Sequence, residues 1–291
     1  MARAWPLRIT LFVLTNLAVL LVFGVVLSLT GVSAQFGMST GGLLLFAALF
    51  GFGGSLVSLA MSKQMALWST GAKVLRQPSN TSERWLVDTV SELAQKSGIG
   101  MPDVAVWDSP VANAFATGAR RNHALVAVST GLLRTMRPEE VKAVLAHEVA
   151  HVANGDMVTM SMLQGVMNVF VIVLSRVVGS IVDGALSQDE DRGPGMGYFL
   201  ATIVAQILFG VLASIVVMWF SRRREFRADA GAAELVGPAP MIAALQRLKG
   251  NEGDADLPQD LAAFGINQSQ IAGLFSSHPP LDDRIAALRA S

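Results

Sequence analysis

A long stretch without charged side chains near the start of the sequence constrains the fold more than any other feature. Residues 9–62, 54 in all, contain no Asp, Glu, Lys or Arg. A membrane-spanning helix needs about 20 apolar residues, so two spans fit in this stretch. We expect them at residues 9–29 and 41–61, joined by a polar turn over residues 30–40. A cleaved signal peptide is the alternative for the first span, although its apolar run exceeds the roughly 7–15 residues of signal peptides.

Composition supports a membrane protein. Hydrophobic residues make up 52% of the 291 residues and charged residues only 15%, whereas soluble domains average about 25% charged residues. The net charge is zero, so we expect no nucleic-acid partner. The chain has no cysteine, which excludes disulfides, a thiol nucleophile and thiolate metal sites and fits a reducing compartment.

Two further apolar segments cover residues 157–175 and 196–220, and an acidic, glycine-containing loop separates them. The third segment carries polar residues near one face, and Arg176 lies towards its end. One interpretation is a span whose polar face meets other helices, with the Arg176 side chain extending to the interface. In the other, the segment packs on the soluble part without crossing the membrane.

The remaining residues predict a soluble part that the second apolar pair interrupts. Residues 83–96 have helical periodicity after a capping segment at residues 80–82, and residues 103–107 and 124–129 are typical of short strands. Pro138 suits the first turn of the next helix. We therefore expect four parts: a transmembrane hairpin (1–62), a first soluble part (63–156), a second apolar hairpin (157–220) and a second soluble part (221–291).

Basic residues predict the orientation, because Lys and Arg concentrate on the cytoplasmic side of bacterial spans. Nine of them fall on one side of a four-span chain: Arg3, Arg8, Lys63, Lys73, Arg76, Arg222, Arg223, Arg224 and Arg227. The first turn has none, and the second loop has one against four acids. Both termini and both soluble parts should therefore be cytoplasmic.

The motif H-E-V-A-H at residues 147–151 carries the chemistry. His147 and His151 share a helix face and can bind one Zn²⁺. Glu148 lies about 100° around the helix, where it can act as a general base towards a water whose pKa the zinc lowers to about 7. The alternative is a surface helix with two solvated histidines.

A third ligand must come from elsewhere in the chain. A third histidine at the spacing of one zinc-protease class would occupy position 157, which is Met157, so that class is excluded. Glu225 fits best as a distal glutamate, and Asp229, four residues later, could accept the free ring N–H of a ligand histidine. A charged helix end at the membrane surface is the alternative for both acids. The hydropathy pattern gives two crossings or none between His151 and Glu225, and either number leaves them on the same side.

Several segments together resemble the HtpX family of membrane-bound zinc metallopeptidases, relatives of the CaaX prenyl endopeptidases. They are L-T-N-L-A-V-L-L-V-F-G, N-A-F-A-T-G-A-R-R, H-E-V-A-H-V-A-N-G-D-M-V-T-M, W-F-S-R-R-R-E-F-R-A-D-A-G and S-H-P-P-L-D-D-R-I, so the similarity runs essentially end to end. The resemblance implies a mainly α membrane protein with transmembrane helices and a cytoplasmic α+β zincin-like (gluzincin) protease domain that contains a small β-sheet. It also implies an inner-membrane enzyme that acts on damaged membrane proteins within quality control.

The resemblance also assigns residues. It implies one zinc ion per chain, held by His147, His151 and Glu225, with Glu148 as the catalytic base. Asn113 lies near the substrate strand by this resemblance, and His278 and Arg284 hold substrate or the developing oxyanion. Without the resemblance, the local sequence predicts only that Asn113 lies in a turn and that His278 lies at the start of a helix.

The expected partners are membrane-protein or unfolded-polypeptide substrates and the lipid bilayer. A substrate added in extended form beside an exposed strand near Asn113 or at residues 124–129 would be held mainly by its backbone. Changing the apolar residues there should then alter the choice of cleavage site.

Two other functions fit the sequence less well. An intramembrane protease of the site-2 type is disfavoured because Glu139, Glu140, Lys142 and Asp156 flank the motif and keep its helix out of hydrocarbon. A non-enzymatic four-span transporter or scaffold with a structural zinc is disfavoured because a structural site has four protein ligands and only three can be assigned.

Overall fold

The computed structural model describes residues 40–186, 194–251 and 278–290. The first expected span therefore lies outside the described residues. The helices are α1 (Thr40–Thr70), α2 (Thr81–Lys96), α3 (Thr130–Thr135), α4 (Pro138–Asn154), α5 (Asp156–Leu186), α6 (Met196–Val236), α7 (Pro238–Asn251) and α8 (Leu281–Ala290). The strands are β1 (Lys73–Val74), β2 (Asp103–Trp107), β3 (Ala114–Thr117) and β4 (Leu125–Ser129).

Three helices of the described chain are long and apolar enough to cross a membrane: Gly41–Thr70, Asp156–Leu186 and Met196–Val236. They contain the second, third and fourth apolar segments. Each helix runs well past the apolar segment that predicted it, because backbone hydrogen bonding continues where the side chains become polar. The described residues fall into two compact units, whose boundaries lie at Ser58, Thr159 and Val217.

The first unit contains residues 40–58, 160–186 and 194–217 of α1, α5 and α6. Ser161 donates a 2.7 Å hydrogen bond to the carbonyl oxygen of Ser55, and the Asn168 amide donates one of 3.2 Å to the carbonyl oxygen of Gly51. The Arg176 guanidinium lies over the Phe46 ring at 5.0 Å. The polar face of the third segment therefore meets α1, as the first interpretation of that segment expects.

Helix α6 exposes large apolar side chains within this unit. More than half of the surface of Phe199, Ile203 and Leu208 is exposed. Contiguous exposed apolar surface of this kind is unfavourable in water and suits contact with lipid.

The second unit contains a four-stranded sheet in the order β1-β2-β4-β3. Strands β2 and β4 are parallel, whereas β1 and β3 are antiparallel to their neighbours. Every residue of β4 is buried, as expected for a strand covered on both faces. Strand β3 is an edge strand of this sheet.

Helices α2, α4 and α7 form the core of the second unit with the sheet, and α4 contacts α2, α7 and β3. Asn80 caps α2 by accepting a 2.8 Å hydrogen bond from the Glu83 N–H. Pro138 begins α4, and the Glu140 carboxylate accepts a 2.9 Å hydrogen bond from the Arg137 N–H. These features confirm the predicted starts of α2 and α4.

Candidate metal centre and active site

Helix α4 carries the two histidines of the H-E-V-A-H motif on one buried face. His147 and His151 are about one helical turn apart, so their side chains lie side by side. The ring centroids are 4.6 Å apart, and the two Nε2 atoms are 3.1 Å apart. Only 7% of His147 and 5% of His151 is exposed. The helix therefore directs two imidazole nitrogens at one point inside the protein.

Glu225 reaches the same point from helix α6. Its side chain is fully buried, and its carboxylate oxygens lie 3.4 Å from Nε2 of His147 and 3.2 Å from Nε2 of His151. One ligand atom from each of the three residues can be chosen so that all lie within 4.8 Å of one another. The three residues that the sequence predicts as ligands are thus together and could hold one metal ion.

An aspartate paired with an arginine supports the far side of His147. Nδ1 of His147 lies 2.9 Å from Oδ1 of Asp229. Asp229 in turn accepts hydrogen bonds of 2.8 and 2.6 Å from Nε and Nη2 of Arg284. Asp229 is thus beside a motif histidine, where the sequence places it.

His151 has a second aspartate–arginine support that sequence reasoning missed. Nδ1 of His151 lies 2.7 Å from Oδ2 of Asp156, and Arg227 donates to Oδ1 of the same carboxylate. Gly155 ends α4 with φ +71°, a left-handed conformation that glycine favours, and α5 begins at Asp156. This turn brings Asp156 back against the last turn of α4. The helix-ending glycine directly before an aspartate is the signal that could have revealed it.

The two aspartates fix which ring nitrogens carry protons. We assign the Nδ1 proton of each ring to the bond with its aspartate, which leaves Nε2 of each neutral ring as an acceptor. Burial lowers the pKa of His151, but the nearby carboxylates of Asp156 and Glu225 stabilise the protonated ring, outweigh burial and raise that pKa to about 9. Burial likewise lowers the pKa of His147, and the carboxylates of Asp229 and Glu225 reverse the shift, so this pKa is also raised. The site therefore attracts positive charge, and a metal ion can supply it in place of a proton.

Glu148 lies beside this centre and is half-buried, unlike its neighbours on α4. A cavity of about 670 Å³ is lined by Glu148 together with His147 and Glu225. A carboxylate is therefore accessible from the same cavity as two of the candidate ligands, which is the placement that a general base requires.

The other predicted site residues line the same cavity. Asn113 directly precedes the edge strand β3. Nδ1 of His278 lies 2.8 Å from Oε2 of Glu225, and the His278 side chain is 60% exposed. Arg284 is buried: two of its nitrogens bind Asp229, and Nη1 lies 3.8 Å from Glu225. The bond to Asp229 outweighs burial and raises the pKa of Arg284, so this side chain is a fixed cation.

Two histidines four residues apart, a glutamate from a distant helix and an adjacent half-buried glutamate define the class of gluzincin-type metallopeptidases. Residues 80–291 match peptidase family M48, and the chain belongs to this family. It is a metalloprotease, and the three long apolar helices among its described residues indicate a membrane protein.

Named relatives match nearly the whole chain. The sequence is 58% identical over 287 residues to a protein named Protease HtpX from Xanthomonas campestris pv. campestris, covering 98% of this chain and 97% of the relative. It is 59% identical over 285 residues to Protease HtpX from Stenotrophomonas maltophilia, covering 98% of each. A Protease HtpX homolog from a Janthinobacterium species is 60% identical over 288 residues, covering 97% of this chain and 99% of that protein. The predicted resemblance to this family is therefore confirmed.

The fold also resembles a solved structure. The crystal structure of S. mikatae Ste24p superposes with a TM-score of 0.64 at 19% identity, covering 99% of this chain and 67% of that chain. At this identity the similarity concerns the fold alone. It confirms the expected class of helical membrane protein with a small mixed sheet.

Replacing Asp156 with alanine should weaken zinc binding, because the ring of His151 loses the carboxylate that orients it. Loss of such a partner typically lowers metal affinity about 10- to 100-fold. A chelator-competition titration of purified protein measures this change. Asp88→Ala, at an exposed acid on α2, is the matched control. An unchanged zinc affinity in Asp156→Ala would show that Asp156 does not position the ligand.

Proposed function

We propose that the protein is a zinc endopeptidase that hydrolyses peptide bonds of misfolded or damaged membrane proteins at the cytoplasmic side of the inner membrane. Its role would be membrane-protein quality control during stress. One observation carries the proposal: the ligand atoms of His147, His151 and Glu225 converge beside a cavity that Glu148 also lines.

The donor set fits zinc. Two imidazole nitrogens and one carboxylate form the His₂Glu set of catalytic zinc sites, whereas structural sites are closed by four protein ligands. Among the described residues, the cluster that could hold a metal has three members. Three buried acceptors facing one another favour a cation between them. Bound there, one zinc ion per chain would act as a Lewis acid towards the scissile carbonyl and lower the pKa of water.

The protein's own residues would complete the reaction. Glu148 accepts a proton from the water that attacks the scissile carbonyl carbon, and it then delivers that proton to the leaving amine nitrogen. The carbonyl oxygen gains negative charge during the attack, and donors directed at it stabilise this charge. His278 and Arg284 are the candidate donors. The cationic Arg284 is held in place by Asp229, so it needs no reorganisation during the reaction.

The edge strand supports a binding mode for extended substrates. One side of β3 pairs with β4, with Ala114 opposite Val128, and its other side is free of strand partners in the described sheet. A substrate segment could add there as a further strand, with Asn113 at the start of β3 holding its main chain. Backbone pairing would accept many sequences, as a quality-control protease requires.

Metal-dependent cleavage of a membrane protein tests the enzymatic part of the proposal. The full chain is reconstituted into liposomes with a destabilised multi-span substrate protein, and fragments are followed by gel electrophoresis. Cleavage should stop after chelation and return with added zinc. Cleavage that persists without metal would overturn the proposal.

The cytoplasmic orientation is tested by cysteine labelling, because the natural chain has no cysteine. Gln77 belongs to the expected cytoplasmic part of the sequence, and Ser187 belongs to the acidic stretch between the third and fourth apolar segments. In spheroplasts, a membrane-impermeant maleimide should label Ser187→Cys at once but Gln77→Cys only after lysis. The reverse pattern would place the active site on the other side.

A further inference from the structure

The segment that leads into the edge strand forms one wall of the active-site cavity. Residues 111–114 line this cavity together with His147, Glu148 and Glu225. Strand β3 begins only at Ala114, so regular strand pairing does not fix the residues before it. Their position is fixed by hydrogen bonds to residues 129–131, where β4 ends and α3 begins.

The Ser129 hydroxyl is the centre of this connection. Its side chain is completely buried. The hydroxyl donates a 2.8 Å hydrogen bond to the carbonyl oxygen of Val111 and accepts bonds of 3.0 Å from the N–H groups of Asn113 and Leu132. A hydroxyl has one donor and two acceptor lone pairs, so its full bonding capacity is used. One buried side chain thus binds two residues of the cavity wall to the start of α3.

Asn113 is held through both of its main-chain groups. Its N–H donates to the Ser129 hydroxyl, and its carbonyl oxygen accepts a 2.9 Å hydrogen bond from the Ser129 N–H. Successive residues of an antiparallel strand direct their main-chain groups to alternate sides. Ala114 therefore directs its N–H and carbonyl oxygen away from β4, towards the edge where an extended substrate could pair. Any shift of Asn113 would move this neighbouring residue.

The residues at positions 130 and 131 hold the chain just before the cavity wall. The Gly131 N–H donates a 2.8 Å hydrogen bond to the carbonyl oxygen of Ser109, and the Ser109 N–H donates one of 3.1 Å to the Thr130 hydroxyl. Gly131 is buried, and a Cβ at this position would overlap the carbonyl oxygen of Pro110. The observed close approach of the two segments therefore requires glycine.

We propose that Ser129 and Gly131 are positioning residues for substrate binding. They fix the wall formed by residues 111–114 and thereby set where an extended substrate lies relative to the zinc site. Neither residue is among those that line the cavity, so their substitution should impair substrate binding more than the chemical step. This inference rests on the proposed peptidase function and adds residues that shape its substrate site.

Two substitutions displace the same wall in different ways. Ser129→Ala removes the hydroxyl, whereas Gly131→Ala keeps it but pushes the Pro110 carbonyl away. The test uses the full-length, zinc-loaded protein in detergent and a fluorogenic peptide that the wild type cleaves. KM should rise about 3- to 10-fold in each variant, the effect of one lost hydrogen bond. The value of kcat should stay within about twofold, as expected when only binding is weakened.

Methylation of the peptide main chain distinguishes positioning from a general loss of stability. Peptides that are N-methylated at one residue each, on either side of the scissile bond, lose one donor that could pair with the edge strand. At one or more positions, methylation should raise KM for the wild type. The same methylation should raise KM less in Ser129→Ala and Gly131→Ala, because the pairing is already weakened there.

Val90→Ala is the control for stability. Val90 is completely buried on α2 and is not among the residues that line the cavity, so this variant should melt at a lower temperature but keep the wild-type KM and the wild-type response to methylation. Ser129→Ala alone decides the question if Gly131→Ala does not fold.

Three results would overturn the inference. They are an unchanged KM in the folded variants, an equal rise of KM in Val90→Ala, and a wild type that cleaves the peptide but tolerates methylation at every position. If the zinc-loaded wild type cleaves no peptide and no membrane protein, the proposed function itself is wrong.

Discussion

Glu148→Gln should abolish peptide hydrolysis while leaving zinc bound. The substitution keeps the size of the side chain but removes the group that accepts the proton from water. Loss of a positioned general base typically costs about 10²- to 10⁴-fold in rate. Glu148 is not among the three residues whose ligand atoms converge, so the zinc content should stay near one ion per chain. The measurements are kcat/KM on a peptide that the wild type cleaves and metal analysis of the same sample.

A matched control separates this effect from a general change in helix α4. Glu139 lies on the same helix but is exposed, so Glu139→Gln should retain both zinc and activity. Activity within a few-fold of the wild type in Glu148→Gln would refute the assigned role of the base. Loss of zinc together with activity would instead indicate that Glu148 supports the metal site.

The motif helix could be predicted closely from the sequence because its ends carry local signals. Pro138 suits only the first turn of a helix, and Gly155 adopts the left-handed conformation that ends one. Such signals act over a few residues and need no knowledge of the rest of the fold. The convergence of His147 and His151 follows directly from their spacing on that helix.

The ends of the long apolar helices could not be predicted in the same way. Hydropathy reports where side chains become polar, but a helix ends where its backbone hydrogen bonding is broken. Residues 221–236 contain no proline and a single glycine, Gly231, and α6 continues from its apolar segment through Glu225 and Asp229 to Val236. Glu225, the third candidate ligand, and the fourth apolar segment therefore belong to one continuous helix. The hydropathy pattern alone does not show this continuity.

The support of His151 depends on a local turn and on a tertiary contact. Asp156 follows the motif helix, but only the turn at Gly155 brings it to His151, and only the packing of α6 brings Arg227 to Asp156.

Glu225→Ala should remove both zinc and activity, the largest combined effect that we expect at this site. Glu225 is the only carboxylate among the three converging residues, and two neutral imidazoles alone would hold zinc weakly. Zinc content after dialysis against a mild chelator should fall from about one ion per chain to near zero. Peptide cleavage should fall to background.

The choice of controls makes this result specific to the ligand. Glu234 lies on the same helix and is exposed, so Glu234→Ala should retain zinc and activity. Glu225→Asp keeps the charge but shortens the side chain by one methylene, so it should bind zinc more weakly than the wild type yet better than Glu225→Ala.

Removing Glu225 also removes the carboxylate that accepts from His278 and faces both motif histidines, so a thermal unfolding curve must show that the variant is folded. A folded Glu225→Ala protein with unchanged zinc stoichiometry would show that the third ligand is another residue. The convergence of Glu225 on the two histidines would then have to be explained by ion pairing alone.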